Sequence, residues 1–187
     1  MTTDGGADRY AAAMPMKRIV LTFGAISGAV SASLMLATLP FMHRIGFDKG
    51  LIVGYTAIVA SFLPVFFGIR AYRQQTGGTL TFGRGFAIGL LITLISSVCY
   101  VATWEVVYFK LQPDFADQWT AYAVEHERAS GATPDAIEAK RKEMGEMKAM
   151  LDKPLVNAAM TFIEPFPVGL LVTVISAAVL RRRTVAA

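Results

Sequence analysis

The chain has 187 residues, of which 54% are hydrophobic and 17% charged, with a formal net charge of +4. An ordinary globular domain holds about 45–50% apolar and about 25% charged residues; here the apolar residues gather into four long runs, 19–39, 51–69, 86–109 and 155–180. A bilayer span needs about 20 apolar residues where a buried soluble helix has about 10–14, so the pattern excludes a soluble enzyme, a disulfide scaffold and a DNA-binding domain.

In chain order, residues 1–15 are polar or small and read as a disordered extension to a single membrane domain over 16–183. Lys17-Arg18 opens span 1. The run behind it has 21 residues, longer than the roughly 7–15 of a cleaved signal, and no A-x-A site follows, so it reads as a retained span. Gly24, Gly28 and Ala32 are spaced by four on it. Such small faces let helix backbones approach closely, either within the bundle or in a homo-oligomer through Gly24 and Gly28. Span 1 stops at Pro40, and residues 41–50 read as a loop.

Span 2 carries Pro64, which frees a backbone carbonyl near Ala60 that a neighbouring helix or hydroxyl must tolerate. Gln74-Gln75-Thr76-Gly77-Gly78 is a turn signal, and Thr81 is placed to cap span 3. Span 3 carries a second small-residue face, Gly85, Gly89, Thr93 and Ser97, and runs to about Lys110, ahead of Pro113.

Residues 114–153 form the long water-exposed connection, read as two amphipathic helices. Phe115, Trp119, Tyr122 and His126 fall within about 60° of one another at 100° per residue. They form either a partner surface or the inner face of a helical hairpin. Gly131 ends the first helix. Thr133-Pro134-Asp135 starts the second: cap, proline at the first helical position, acid in the first turn. Ile137, Met144, Met147 and Leu151 stripe that helix and are expected to meet the aromatic face. Span 4 opens at Pro154 and ends at Arg181, Arg182 and Arg183. The fold class is therefore all-α: four transmembrane helices with an extramembrane helical hairpin between spans 3 and 4.

Four spans place both termini on one side, with Arg9, Lys17, Arg18, Arg70, Arg73, Arg84 and the final arginines. The other side holds as many basic residues, but most lie far from the span ends and alternate with acids. Because orientation is read close to the spans, the termini are expected in the cytoplasm and the hairpin outside.

Two carboxylates fall inside the spans, Glu105 and Glu164. A charge in the bilayer is costly unless paired, protonated or turned to protein, so each is a candidate site. Asn157, Thr161 and Glu164 form one polar stripe on span 4. A proton or cation site, a polar pocket and a silent interhelical hydrogen bond all fit this pattern. One cysteine, Cys99, and two histidines, His43 and His126, fall short of a zinc constellation. No catalytic residue, metal or cofactor is expected.

Several stretches suggest a family. They include Phe67-Gly68-Ile69-Arg70-Ala71-Tyr72-Arg73, Phe82-Gly83-Arg84-Gly85-Phe86, Ala129-Ser130-Gly131-Ala132 and Thr161-Phe162-Ile163-Glu164-Pro165-Phe166-Pro167-Val168-Gly169. Over residues 16–183 the chain resembles the small four-span bacterial membrane proteins catalogued as domain of unknown function forty-one ninety-nine. The resemblance implies an integral membrane protein with a long third loop, and no catalytic residues or assigned activity. The expected function is a non-enzymatic accessory or scaffold protein of the inner membrane that presents the 114–153 hairpin to a partner. The alternative is a small transporter or channel subunit using Glu105 and Glu164. The expected partners are the lipid bilayer and protein, with no nucleic acid.

Overall fold

The computed structural model describes residues 14–181, with backbone only for residues 42–48. The expected disordered extension (up to residue 13), Arg182, Arg183 and the side chains of His43 and Arg44 lie outside the described residues. The chain is helical throughout, with no β-strand among the described residues. In order the helices are α1 (Met16–Thr38), α2 (Met42–Ser61), α3 (Leu63–Gln75), α4 (Phe82–Val106), α5 (Phe115–Ala129), α6 (Pro134–Leu151), α7 (Pro154–Phe162) and α8 (Pro165–Leu180). Among the described residues, four stretches are long and apolar enough to cross a bilayer: Met16–Phe41, Lys49–Gln75, Phe82–Leu111 and Pro154–Leu180. Large apolar side chains such as Val98, Leu171 and Val179 stay 60–68% exposed. In water that would be costly; against lipid tails it costs nothing.

The expected loop at 41–50 is corrected: only Leu39–Phe41 makes a tight turn, and α2 begins at Met42. A helix satisfies its backbone internally, so it can run beyond the apolar stretch into the polar layer. The expected caps are present. Thr81 Oγ1 accepts from the Arg84 N–H at 3.4 Å, and Thr133 Oγ1 from the Ala136 N–H at 3.3 Å. Gly131 takes a φ of +82° just past α5, where an L side chain would be strained.

α4 is the axis of the bundle and packs on α1, α3, α7 and α8. Glycines make this possible. A Cβ on Gly28 would lie 2.7 Å from the Cys99 Sγ, and one on Gly24 would lie 2.9 Å from Ile95. Both glycines are thus consumed by packing inside the chain. Gly89 meets Thr173 of α8 in the same way, and Gly169 meets Phe62. Beneath them sits the core: Phe62, Val65, Ile69, Ile88, Ile92 and Leu180.

Spans 2 and 4 are each interrupted at a proline, and in span 2 a hydroxyl meets a carbonyl at the break. At the α2–α3 junction the Val65 N–H turns to the Phe62 carbonyl at 3.0 Å. Ser27 of α1 donates to the Ser61 carbonyl at 2.6 Å, with the Ser96 hydroxyl 2.8 Å from Ser27 Oγ. This is the relief expected of Pro64, one residue further on. In span 4 the Thr93 hydroxyl lies 3.3 Å from the Gly169 carbonyl and 3.0 Å from Thr173 Oγ1.

The break at Phe62 also divides span 2 by packing. Below it α3 packs on α1, α4 and α8; above it α2 leans on α1, touches α8 and, among the described residues, makes no substantial contact with α4. At the far end, α4 passes into a wide π turn, Val107–Leu111, closed by the Gln112 N–H donating to the Val107 carbonyl at 2.7 Å.

Candidate functional site

Three aromatic side chains of span 3 donate hydrogen bonds, two to span 4 and one to Asp152 at the end of α6. Tyr100, Trp104 and Tyr108 recur every four residues along one face of span 3. The Tyr100 hydroxyl donates to Glu164 Oε2 at 3.2 Å, the Trp104 indole N–H to Asn157 Oδ1 at 3.1 Å, and the Tyr108 hydroxyl to Asp152 Oδ1 at 3.1 Å. Asn157 is fully buried. Its oxygen also accepts from Thr161, and its amide donates to the Leu151 carbonyl at 3.0 Å. The polar stripe read on span 4 is therefore real, and aromatic donors of span 3 meet it.

Glu105 is not part of this arrangement. It lies roughly 100° around the helix from the three donors at 100° per residue. Its Oε1 is shielded from solvent and has no hydrogen-bond partner among the described residues. Glu164 instead sits at the break between α7 and α8. Of the two candidate carboxylates, Glu164 is the one that meets the aromatic face of span 3.

The aromatic stripe of α5 is also redirected. Ala116 and Val124 are the buried positions of α5, and they sit roughly 130° around the helix from the stripe. Phe115 turns to span 3, meeting Trp104 edge-on with ring centroids 5.1 Å apart. The Trp119 and Tyr122 rings lie tilted with centroids 5.6 Å apart, and Tyr122 stacks on His126 at 5.9 Å. The expected face-to-face closure of the aromatic and methionine stripes is corrected: the stripe begins on the bundle. Periodicity fixes which residues share a face, but not which neighbour that face meets. Of the α6 stripe, Met144 is buried, and Lys148 pairs with Asp117 across the hairpin. That contact, chiefly its hydrogen bond, raises the Lys148 ammonium above the ordinary lysine value.

Between α1, the splayed α2, α4 and α5 lies a cavity of about 230 Å³. Leu34, Met35 and Ile58 give it apolar walls, and Phe115 and Trp119 close it on the hairpin side. Tyr55, Tyr100, Trp104 and Glu164 also line it, whereas Glu105 does not. Sequence reading singled out Glu164 but missed Tyr55, Tyr100 and Trp104. Trp104 and Tyr108 are visible as an aromatic pair four apart, yet only the packed structure shows what they reach. Among the described residues no cluster of three or more metal-ligating side chains occurs.

The chain belongs to the family described as "Protein of unknown function (DUF4199)", whose sequence model matches residues 22–182. This is the family that the sequence motifs suggest. No curated protein and no solved structure matches the chain.

Proposed function

We propose that this family member is a non-enzymatic accessory or scaffold protein of the bacterial inner membrane. Both termini lie in the cytoplasm, and the α5–α6 hairpin stands outside as a fixed platform for a protein partner. The observation that carries this reading is the seat of the hairpin. The Tyr108–Asp152 and Trp104–Asn157 bonds, with Phe115 edge-on to Trp104, anchor both ends of the hairpin to spans 3 and 4. A platform needs such anchoring; a passive linker does not. The salt-bridged outer surface of α6, with Glu138, Arg141, Lys142 and Glu146 exposed, is left to face a partner. A non-enzymatic role is supported by the use of polar groups within the spans: Ser27, Ser96, Thr93 and Asn157 serve the backbone and helix contacts. Lys17, Arg18, Arg70, Arg73 and Arg84 at the termini end support the orientation.

Photo-crosslinking in intact cells tests the partner. A photoreactive residue at Glu138 or Arg141 should give a discrete adduct with one protein. The same residue at buried Met144 should give none. Failure of every outer position to yield a discrete adduct would remove the scaffold reading. For the orientation, Cys99→Ala with Ser130→Cys should be labelled in intact cells by an impermeant maleimide. Labelling only after lysis would reverse it.

The transporter reading keeps one supporting observation, that Glu164 lines a cavity. It now rests on Glu164 alone, without Glu105. Glu164→Gln that folds normally yet abolishes the cellular phenotype would favour it. If Gln preserves the phenotype while Ala destabilises, Glu164 is structural.

A further inference from the structure

We propose that the cavity beneath the hairpin is a binding site for a lipophilic ammonium ion: a cationic nitrogen carrying an apolar group. Three features converge on this chemistry, independently of the platform role.

The first is charge. Glu164 is the carboxylate on the cavity lining, and among the described residues no lysine or arginine lines the cavity or pairs with it. Its hydrogen bond there comes from Tyr100 to Oε2, so Oε1 is open to a second donor or a cation. An anion would meet repulsion. A neutral apolar ligand would press hydrocarbon on a carboxylate, which loses hydration without return.

The second is the ring lining. Tyr55 from α2, Tyr100 and Trp104 from span 3, and Phe115 and Trp119 from α5 converge from three elements. Aromatic faces carry negative potential, and aromatic cages with a nearby carboxylate suit ammonium and quaternary ammonium groups. The third is the wall. Apolar side chains of α1 and α2 complete the cavity inside the spans, so the ligand's remaining bulk must be apolar. A zwitterionic lipid headgroup would bring its phosphate toward Glu164 without a described lysine or arginine on the lining to meet it, so the favoured occupant is a simple cation.

The chain carries its own reporter, since it has two tryptophans and both Trp104 and Trp119 line the cavity. The experiment uses the full chain in phosphatidylglycerol nanodiscs and follows tryptophan emission. Two probes of nearly identical shape are compared: benzyltrimethylammonium and neopentylbenzene, in which carbon replaces the charged nitrogen. The cation should give a saturable change, with the neutral isostere about tenfold weaker or more. Glu164→Gln should weaken the cation about tenfold and leave the neutral probe unchanged. Tyr55→Leu provides a second variant, on a different helix, should Glu164→Gln fail to fold. It should weaken the cation about threefold through loss of one ring. Equal binding of the two probes, a linear unsaturable response, or wild-type cation binding by the variants that fold would overturn the site. Repeating the titration in phosphatidylethanolamine discs distinguishes the source of the cation. Undiminished affinity supports a free amphiphile; competition by the lipid ammonium would assign the cavity to a headgroup and overturn the simple-cation occupant.

Discussion

The two ends of the bundle are built on opposite principles. At the termini end, Gly68, Gly89 and Gly169 bring α3, α4 and α8 so close that a single added carbon would collide with its neighbour. Phe62, Val65 and Ile69 fill what remains. At the hairpin end, α2 leans away, Gly50 and Gly54 face open space, and large aromatics surround a cavity. Between the two lies the break at Phe62. Lipid tails are as apolar as leucine, so burial alone does not press helices together in a bilayer. Close packing and hydrogen bonds must do it. One end uses small residues for contact, and the other uses aromatic donors at longer reach. The comparison shows how one interrupted span supplies both a rigid foot and an open chamber.

The contrast predicts unequal responses to mutation, all measurable by thermal unfolding of the purified protein in mild detergent. The largest loss is expected from Phe62→Ala. This ring is 1% exposed and belongs to the packed core, and its removal should cost about 3–5 kcal/mol. Trp119→Ala, on the wall of an existing cavity, should cost less. Equal losses would show that the cavity end is packed as tightly as the other.

Overpacking comes next. Gly89→Leu drives a side chain into Thr173, whose Cγ2 would lie 2.7 Å from the new Cβ, and should cost about 1–3 kcal/mol. Ser27→Ala removes the donor to the Ser61 carbonyl at the break and should cost about 1 kcal/mol. Ser27→Thr, which keeps the hydroxyl, tests whether the loss is the hydrogen bond.

At the open end the sign reverses. Gly54→Ala meets nothing within 4 Å and removes a mid-helix glycine, so stability should rise by about 0.5–1 kcal/mol. A loss at Gly54 would mean that α2 closes on the bundle in the membrane.

The smallest effect belongs to the Lys148–Asp117 contact. Because the folded Lys148 value is raised, its contribution is complete below the ordinary lysine value of 10.5 and fades as pH rises through the raised value. Energy transfer between dyes on α5 and α6 should therefore stay flat from neutral pH to about 10 and fall beyond it. Lys148→Gln should show the loosened distance already at neutral pH.

Much of the fold was legible in the sequence because its signals are local. Run length marks the spans, Thr81 and Thr133 mark helix starts, and Gly131 marks a stop. Pro64 announced a stranded carbonyl within one residue of where it lies. Residues 41–50 misled because polar residues and glycines weaken an apolar pattern, while helical hydrogen bonding does not depend on that pattern. The site was legible only in part. Glu164 stands out as a carboxylate in an apolar run, but its partner Tyr100 is 64 residues away. Nothing local distinguishes that tyrosine from any interfacial aromatic. The direction of the α5 stripe depends on how the chain leaves span 3, and sequence periodicity restarts after each such junction.

That exit is the π turn at Val107–Leu111. Such a turn holds one more residue than an α turn, so it has the form of a single-codon insertion absorbed into a helix. Its extra residue sets the angle at which everything downstream departs. Excising Lys110 would return the segment to α-helical pitch and swing the following residues by about 100°. Phe115 would leave Trp104, and the roof of the chamber would turn aside with it. The wide turn thus works as a rotary setting between bundle and hairpin, changeable by a one-residue indel without altering any residue of either part.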